Sequence, residues 1–125
     1  MIDEHKFGSF TIDGKKYLGD IKIVDKKVKY WDDRYRHKIE SKDIQDLIEV
    51  KPEVIIIGTG NTGYLEIPSE IKNYILAKGI KILIKKNTEA VQDYNKLIKE
   101  NKKVAAIFHS TCWGQGINGL MPLFI

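Results

Sequence analysis

The sequence predicts a single α/β domain in which an N-terminal antiparallel meander precedes a βαβαβ unit. Three observations carry this expectation. Apolar and polar residues alternate from Phe7 to Trp31, interrupted by the turn pair Asp13-Gly14. From Glu53 onward, β-branched runs are separated by apolar stripes at helical spacing, which is the grammar of strand, helix, strand, helix, strand. The 125 residues fill one domain of ordinary size and leave no room for a second. The domain is expected over 1–125, with a core over about 7–112 and a glycine-containing apolar extension over 113–125.

The meander comes first. Asp-Gly between alternating runs favours a type I′ hairpin turn, because both central residues need φ above zero. In the run from Lys15 to Val24, alternation places Tyr17, Gly19, Ile21 and Ile23 on one face and Lys16, Leu18, Asp20 and Lys22 on the other, which is expected to be solvated. Asp32 to Glu40 is polar and without a period, so a loop is expected there. Ser41 is placed to cap a short helix in which Ile44, Leu47 and Ile48 form the buried face, and Pro52 ends it.

The second half begins with Val54 to Gly58, apolar on both faces as a central parallel strand requires; "KILIK" and "KVAAIFH" are its companions. Pro68-Ser69 opens a helix with Ile71, Tyr74 and Ile75 on one side and Gly79 as its stop. A longer helix follows Asn87-Thr88, with Ala90, Val91, Tyr94, Leu97 and Ile98 on one stripe. Right-handed crossovers then pack the helices against a mostly parallel sheet, to which the meander adds a layer or an edge.

Composition narrows the class. With 42% hydrophobic and 30% charged residues in patterned runs, the chain is globular and not disordered. Twenty-one basic residues against 17 acidic ones give a net charge of +4, a mildly basic surface that points toward an anionic partner. The lone Cys112 excludes an internal disulfide. No stretch has the length of a signal peptide's apolar region or of a membrane span, so a cytoplasmic location without membrane contact is expected.

The segment Gly58 to Gly63, GTGNTG, matches the G-x-G-x-x-G dinucleotide pattern. That pattern works when a helix begins inside it and offers its N-terminal amides to a pyrophosphate. Here the helix signal waits until Pro68-Ser69, and the position that would hold an acidic ribose ligand carries Lys85-Lys86. No cofactor is therefore expected, and Gly58, Thr59 and Gly60 are read as the rim of a cleft at the strand ends.

Other chemistry is sparse. His109 and Cys112 form H-x-x-C, but His5 and His37 lie apart in sequence and no zinc set is legible, so no metal is expected. Lys29 to Lys38, "KYWDDRYRHK", interleaves bases with aromatics as single-strand nucleic-acid binders do, yet Asp32-Asp33 interrupts the positive field. No nucleophile elbow, phosphate loop or diagnostic carboxylate pair occurs, so no catalytic residue is assigned. The closing "LMPLFI" is apolar enough to suggest docking on its own domain or on a second copy, making a homo-oligomer through the tail an expectation.

The order of "FGSFTIDGKKYLGDIKI", Trp31, "PEVIIIGTG", "GIKILIKKNTEAVQDYN" and "KKVAAIFHSTC" resembles the small α/β family that includes the human adipogenesis-associated domain protein and, more distantly, the mitochondrial assembly factor of respiratory complex I. The resemblance covers Phe7 to about Cys112. It implies three layers, (β+α)/β/α, around a central mixed sheet. The family-type positions it brings to this chain are Trp31, His37, Pro52-Glu53, Gly58-Thr59-Gly60, Thr88, Ala90 and Tyr94-Asn95. Lys85-Lys86 and the "WGQGINGLMPLFI" extension depart from the family pattern.

The functional expectation is a non-catalytic binding or assembly-type domain whose ligand site uses Gly58, Thr59, Gly60, Thr88, His37 and Asn95. Its occupant would be a protein partner or a small anion. The alternative is a small-molecule or nucleotide-binding enzyme acting at the same cleft, with nucleic-acid binding through Lys29 to Lys38 as a third reading.

Overall fold

Two tight turns with φ above zero start the fold. The computed structural model describes residues 2–6, 9–31, 39–60 and 65–109. Strands β1 (Ile2–Lys6), β2 (Ser9–Ile12) and β3 (Lys15–Leu18) form an antiparallel sheet in that order. Asp13 and Gly14 join β2 to β3 at φ 51° and 83°, the left-handed pair that a type I′ turn needs. Asp25 and Lys26, at φ 52° and 66°, do the same between β4 (Ile21–Val24) and β5 (Lys27–Tyr30).

The run from Lys15 to Val24 is not the single strand that its alternation suggests. The chain breaks at Gly19 and Asp20, and β4 leaves the first sheet for a second one. That sheet has the order β5-β4-β8-β6-β7, in which β6 (Val54–Gly58), β7 (Lys81–Lys85) and β8 (Val104–Phe108) are parallel while β4 pairs antiparallel with both β8 and β5. Nor is the Lys22 side solvated, because all four residues of β4 are buried. Helix α1 (Ser41–Glu49) covers that face, and Asp46 receives the Lys22 ammonium at 3.2 Å and that of Lys29 at 2.8 Å. Burial alone would raise the Asp46 pKa, but the two ammonium groups outweigh it and hold the carboxyl below its usual range.

Period-two burial separates the two faces of the central sheet. Ile55, Ile57, Ala105 and Ile107 join Ile44, Leu47, Ile71 and Ile75 under α1 and α2 (Ser69–Ala77). Val54, Ile56, Ala106 and Phe108 join Phe10, Ile12, Ala90 and Tyr94 under the small sheet and α3 (Asn87–Lys99). The molecule thus has three layers, with α1 and α2 on one face and β1 to β3 plus α3 on the other. The placement of α2 and α3 on opposite faces follows from strand order. The crossover from β6 to β7 moves one way along the sheet and that from β7 to β8 moves back past β6, so a common right hand requires opposite faces.

Local signals set the helix ends, with one difference from the sequence reading. Glu40, not Ser41, is the N-cap of α1, and its amide donates to Asp43 Oδ2 at 2.8 Å. In α2, Ile71 and Ile75 are buried while Tyr74 is 38% exposed, so the inward stripe is narrower than its spacing suggests. In α3, Ala90 and Tyr94 are buried, and Val91, Leu97 and Ile98 pack around them.

Tyr94 gives the fold an alkaline limit. Burial, with Asp13 adding a smaller repulsion, pushes its phenol up to about 12. The folded state therefore holds a proton that the unfolded chain releases near the ordinary value of about 10. Stability is complete below pH ~10 and is expected to fall above it by on the order of 1 kcal/mol per pH unit until the folded phenol also ionises. Denaturant melts at pH 9 to 11 check this, since Tyr94→Phe removes that part of the decline.

Candidate functional site

The parallel strands β6, β7 and β8 end at one edge, where Gly58, Lys85 and Phe108 lie in register. Chains leaving adjacent β6 and β7 go to opposite faces, the arrangement that opens a ligand crevice in many α/β sheets. In this fold that crevice is stitched closed. Thr59 donates its amide to Lys85 O at 2.9 Å and its hydroxyl to the same oxygen at 3.3 Å. Asn87 donates its amide to Gly60 O at 3.1 Å, and its side-chain Oδ1 accepts the Gly60 amide at 3.1 Å.

The same Asn87 side chain continues across the strand ends. Its Nδ2 donates to His109 O at 2.8 Å, and the His109 amide donates to Gly58 O at 2.9 Å. One buried amide therefore ties together the chain leaving β6, the start of α3 and the end of β8. Gly58 makes this possible by having no side chain: a Cβ there would stand 2.5 Å from Asn87 Oδ1 and 2.5 Å from Phe108 Cδ1. Gly60, at φ 94°, turns its amide to the Asn87 oxygen in a conformation that favours glycine.

Beyond this lock lies a buried polar group. His109 Nδ1 is 3.4 Å from Asp20 Oδ2, and both side chains are almost wholly enclosed. Asp20 stands at the break between β3 and β4, where its carbonyl accepts the Trp31 amide at 3.0 Å. The Trp31 ring meets the imidazole edge-on, with centroids 6.3 Å apart. Its Nε1 is buried and has no hydrogen-bond partner among the described residues. Carboxylate, imidazole and indole N–H can together orient a proton or donate to an oxygen. No group of three or more metal-ligating side chains occurs among the described residues.

Gly58, Thr59 and Gly60 are thus brought together at the strand ends, but Thr88 is exposed while its neighbour Asn87 makes the contacts. Asn95 lies two turns further along α3, about 12 Å by helix rise. There its Oδ1 accepts the Ile2 amide and its Nδ2 donates to Ile2 O, both at 2.8 Å. That pair docks β1 in the way a neighbouring strand would. Asn95→Ala should cost about 1–2 kcal/mol and speed amide exchange at Ile2 well before the central sheet responds; hydrogen exchange read by NMR checks it. Lys85 is engaged by Asp93 at 2.8 Å, which raises the lysine's pKa. His37, Cys112, the Asn61 to Gly63 part of the glycine motif and the apolar tail lie outside the described residues.

Asn87, Asp20 and the buried pairing of His109 were not singled out by sequence. The available signal was an Asn at the first position of a helix entered directly from a strand, opposite a strand that ends in Gly. Only the tertiary register of β6 and β8 gives that Asn two buried partners.

The family model described as "Protein of unknown function (DUF498/DUF598)" matches residues 2–109. The chain belongs to the DUF498 family. Among solved structures, the protein MT938 is 31% identical, with a TM-score of 0.70 over 90% of this chain and 98% of its own. A conserved hypothetical protein from Pyrococcus horikoshii OT3 is 28% identical, with a TM-score of 0.71 over 90% and 99%. A protein described as an outer membrane protein from Bartonella henselae is 26% identical, with a TM-score of 0.76 over 87% and 92%. A Bordetella pertussis protein described as a Mth938-like domain, at 17% identity and a TM-score of 0.65 over 90% and 86%, shares the fold.

The likeness therefore holds at the level of DUF498 and the Mth938-like fold, and nothing in these matches reaches adipogenesis or complex I assembly. In this DUF498 chain no helix among the described residues is long and apolar enough to cross a membrane. The family match takes in the whole strand-end lock, from Asp20 to His109.

Proposed function

We propose that this DUF498 chain is a non-catalytic binding or assembly-type domain whose partner docks at the ends of β6 and β8, with Gly58 to Gly60 as the rim of the contact. The observation that carries this reading is the Trp31 indole N–H, buried and without an acceptor among the described residues. Leaving such a donor unmet costs about 1–3 kcal/mol, and native proteins retain few of them, so an oxygen from a partner segment that displaces the residues covering the indole would recover that cost. The nearby Asp20 carboxylate disfavours an anion, and Lys85 already has a carboxylate of its own. A neutral acceptor, the main-chain carbonyl of a protein segment, suits the site better than a phosphate.

Affinity capture with the wild type and Trp31→Phe tests the proposal, because the substitution removes the donor while keeping a smaller aromatic ring in the core. A protein retained by the wild type and lost by a folded Trp31→Phe chain is the expected result. Identical captured sets would remove Trp31 from the site. The enzyme alternative draws on the Asp20–His109 pair and makes a different prediction: nucleotides or phosphorylated metabolites at about 100 Kd should stabilise the fold by about 2.7 kcal/mol in a thermal-shift screen.

A further inference from the structure

Among the described residues, the central sheet and the small sheet each end in an edge strand on the same side of the molecule. β5 is the edge of the central sheet and β3 that of the small one. The rings of Tyr17 and Tyr30 meet across them with centroids 5.9 Å apart, which makes the two edges one surface. One large apolar side chain stands out on it, Tyr30 at 61% exposure.

Register shows which backbone groups this edge offers. The two-residue turn at Asp25-Lys26 makes Val24 and Lys27 the closing hydrogen-bonded pair, so the pairs Ile23 with Val28 and Ile21 with Tyr30 are of the type that does not exchange hydrogen bonds. The N–H and C=O of Val28 and Tyr30 therefore point away from β4. Lysines surround them. Lys15, Lys16 and Lys27 are exposed, and Lys29 adds a partly exposed ammonium already paired with Asp46. Two copies of β5 set side by side would place these lysines against one another, the device by which natural edges resist self-pairing. An acidic strand meets the opposite situation.

We propose that β5 is a docking edge for an extended acidic protein segment, which adds to the central sheet as a sixth strand. Main-chain bonds to Val28 and Tyr30 hold it, its carboxylates lie on the α1 side of the sheet with Lys27, and its apolar residues rest on Tyr30 on the other side. This surface is separate from the Trp31 contact and is tested with different variants.

The probe is an acetylated eight-residue peptide of alternating Glu and Val, titrated into 15N-labelled protein. A matching Lys-Val peptide and an eight-residue thymidine oligonucleotide serve as comparisons. The acidic peptide is expected to slow amide exchange at Val28 and Tyr30, with an affinity that falls as salt is raised. Val28→Pro removes one outward amide without touching the β4 pairing and should weaken binding about tenfold. Lys27→Glu, which leaves the backbone intact, should also weaken it and keeps the test decisive if the proline variant does not fold. Equal binding by the basic peptide, stronger shifts of the same amides by the oligonucleotide, protection that grows with protein concentration alone, or no response to the acidic peptide would each overturn the proposal.

Discussion

Gly58→Ala is expected to lower the unfolding free energy by about 3 kcal/mol, the upper part of the range for overpacking a filled core. The added methyl would lie 2.5 Å from both Asn87 Oδ1 and Phe108 Cδ1, and neither neighbour has room to give way. Asn87 is held at both ends of its amide, and Phe108 is fully buried between Phe10 and Tyr94. For a domain of this size the loss corresponds to a fall in Tm of roughly 10 °C. Thermal and urea melts measure it directly, and a loss below about 1 kcal/mol would mean that the strand ends are looser than the geometry shows.

Asn87→Ala is the companion case, with an expected cost of about 3–4 kcal/mol. It strands two buried backbone groups at once, the Gly60 amide and the His109 carbonyl, each worth roughly 1–3 kcal/mol when left unmet. Asn87→Asp separates the two contacts. The carboxylate still accepts from Gly60 but faces the His109 oxygen without a proton, so near pH 7 this variant should be close to as weak as alanine. On acidification the protonated acid can donate to His109 O. Its folded pKa is raised, so its deficit relative to wild type should shrink as the pH falls. A deficit that is flat with pH counts against the assigned contact. In the double variant Gly58→Ala with Asn87→Ala, the new methyl occupies space that the amide has vacated, and the two costs should add to less than their sum.

These variants also separate what holds the strand ends from what binds there. Gly58 and Asn87 act through stability, and Trp31→Phe is expected to cost about 1–3 kcal/mol by shrinking a buried ring while leaving the chain folded, whereas Lys27→Glu is expected to leave the melt nearly unchanged and alter only partner binding. A chain that loses capture in proportion to its loss of stability would point to folding alone.

Much of this architecture was legible from the chain itself. The continuous apolar run Val54 to Gly58 and the stripe of Ala90, Tyr94 and Ile98 could be read because burial on both faces or one leaves a direct trace in residue type. Asp13-Gly14 was legible because few residues accept φ above zero, and the mismatch between the glycine motif and a helix starting at Ser69 followed from the same local rules. The switch of sheets at Gly19-Asp20 was not, since the alternation runs through it without a fault. A layer change is decided by what packs on each side, and Lys22 reads as a surface residue until Asp46 on α1 is seen against it.

The candidate site divides along the same line. Sequence by itself placed Gly58, Thr59 and Gly60 at a strand end, and the family resemblance named Trp31 as a family-type position. Tertiary structure decided that Asn87, and not Thr88, completes the loop, that Asn95 serves β1 instead, and that Asp20 and His109 meet although 89 positions separate them. The physical reason is range. Turn geometry and burial periodicity are set by neighbours in the chain, whereas a buried hydrogen bond exists only where two distant segments are brought within about 3 Å, and no residue type announces that distance in advance.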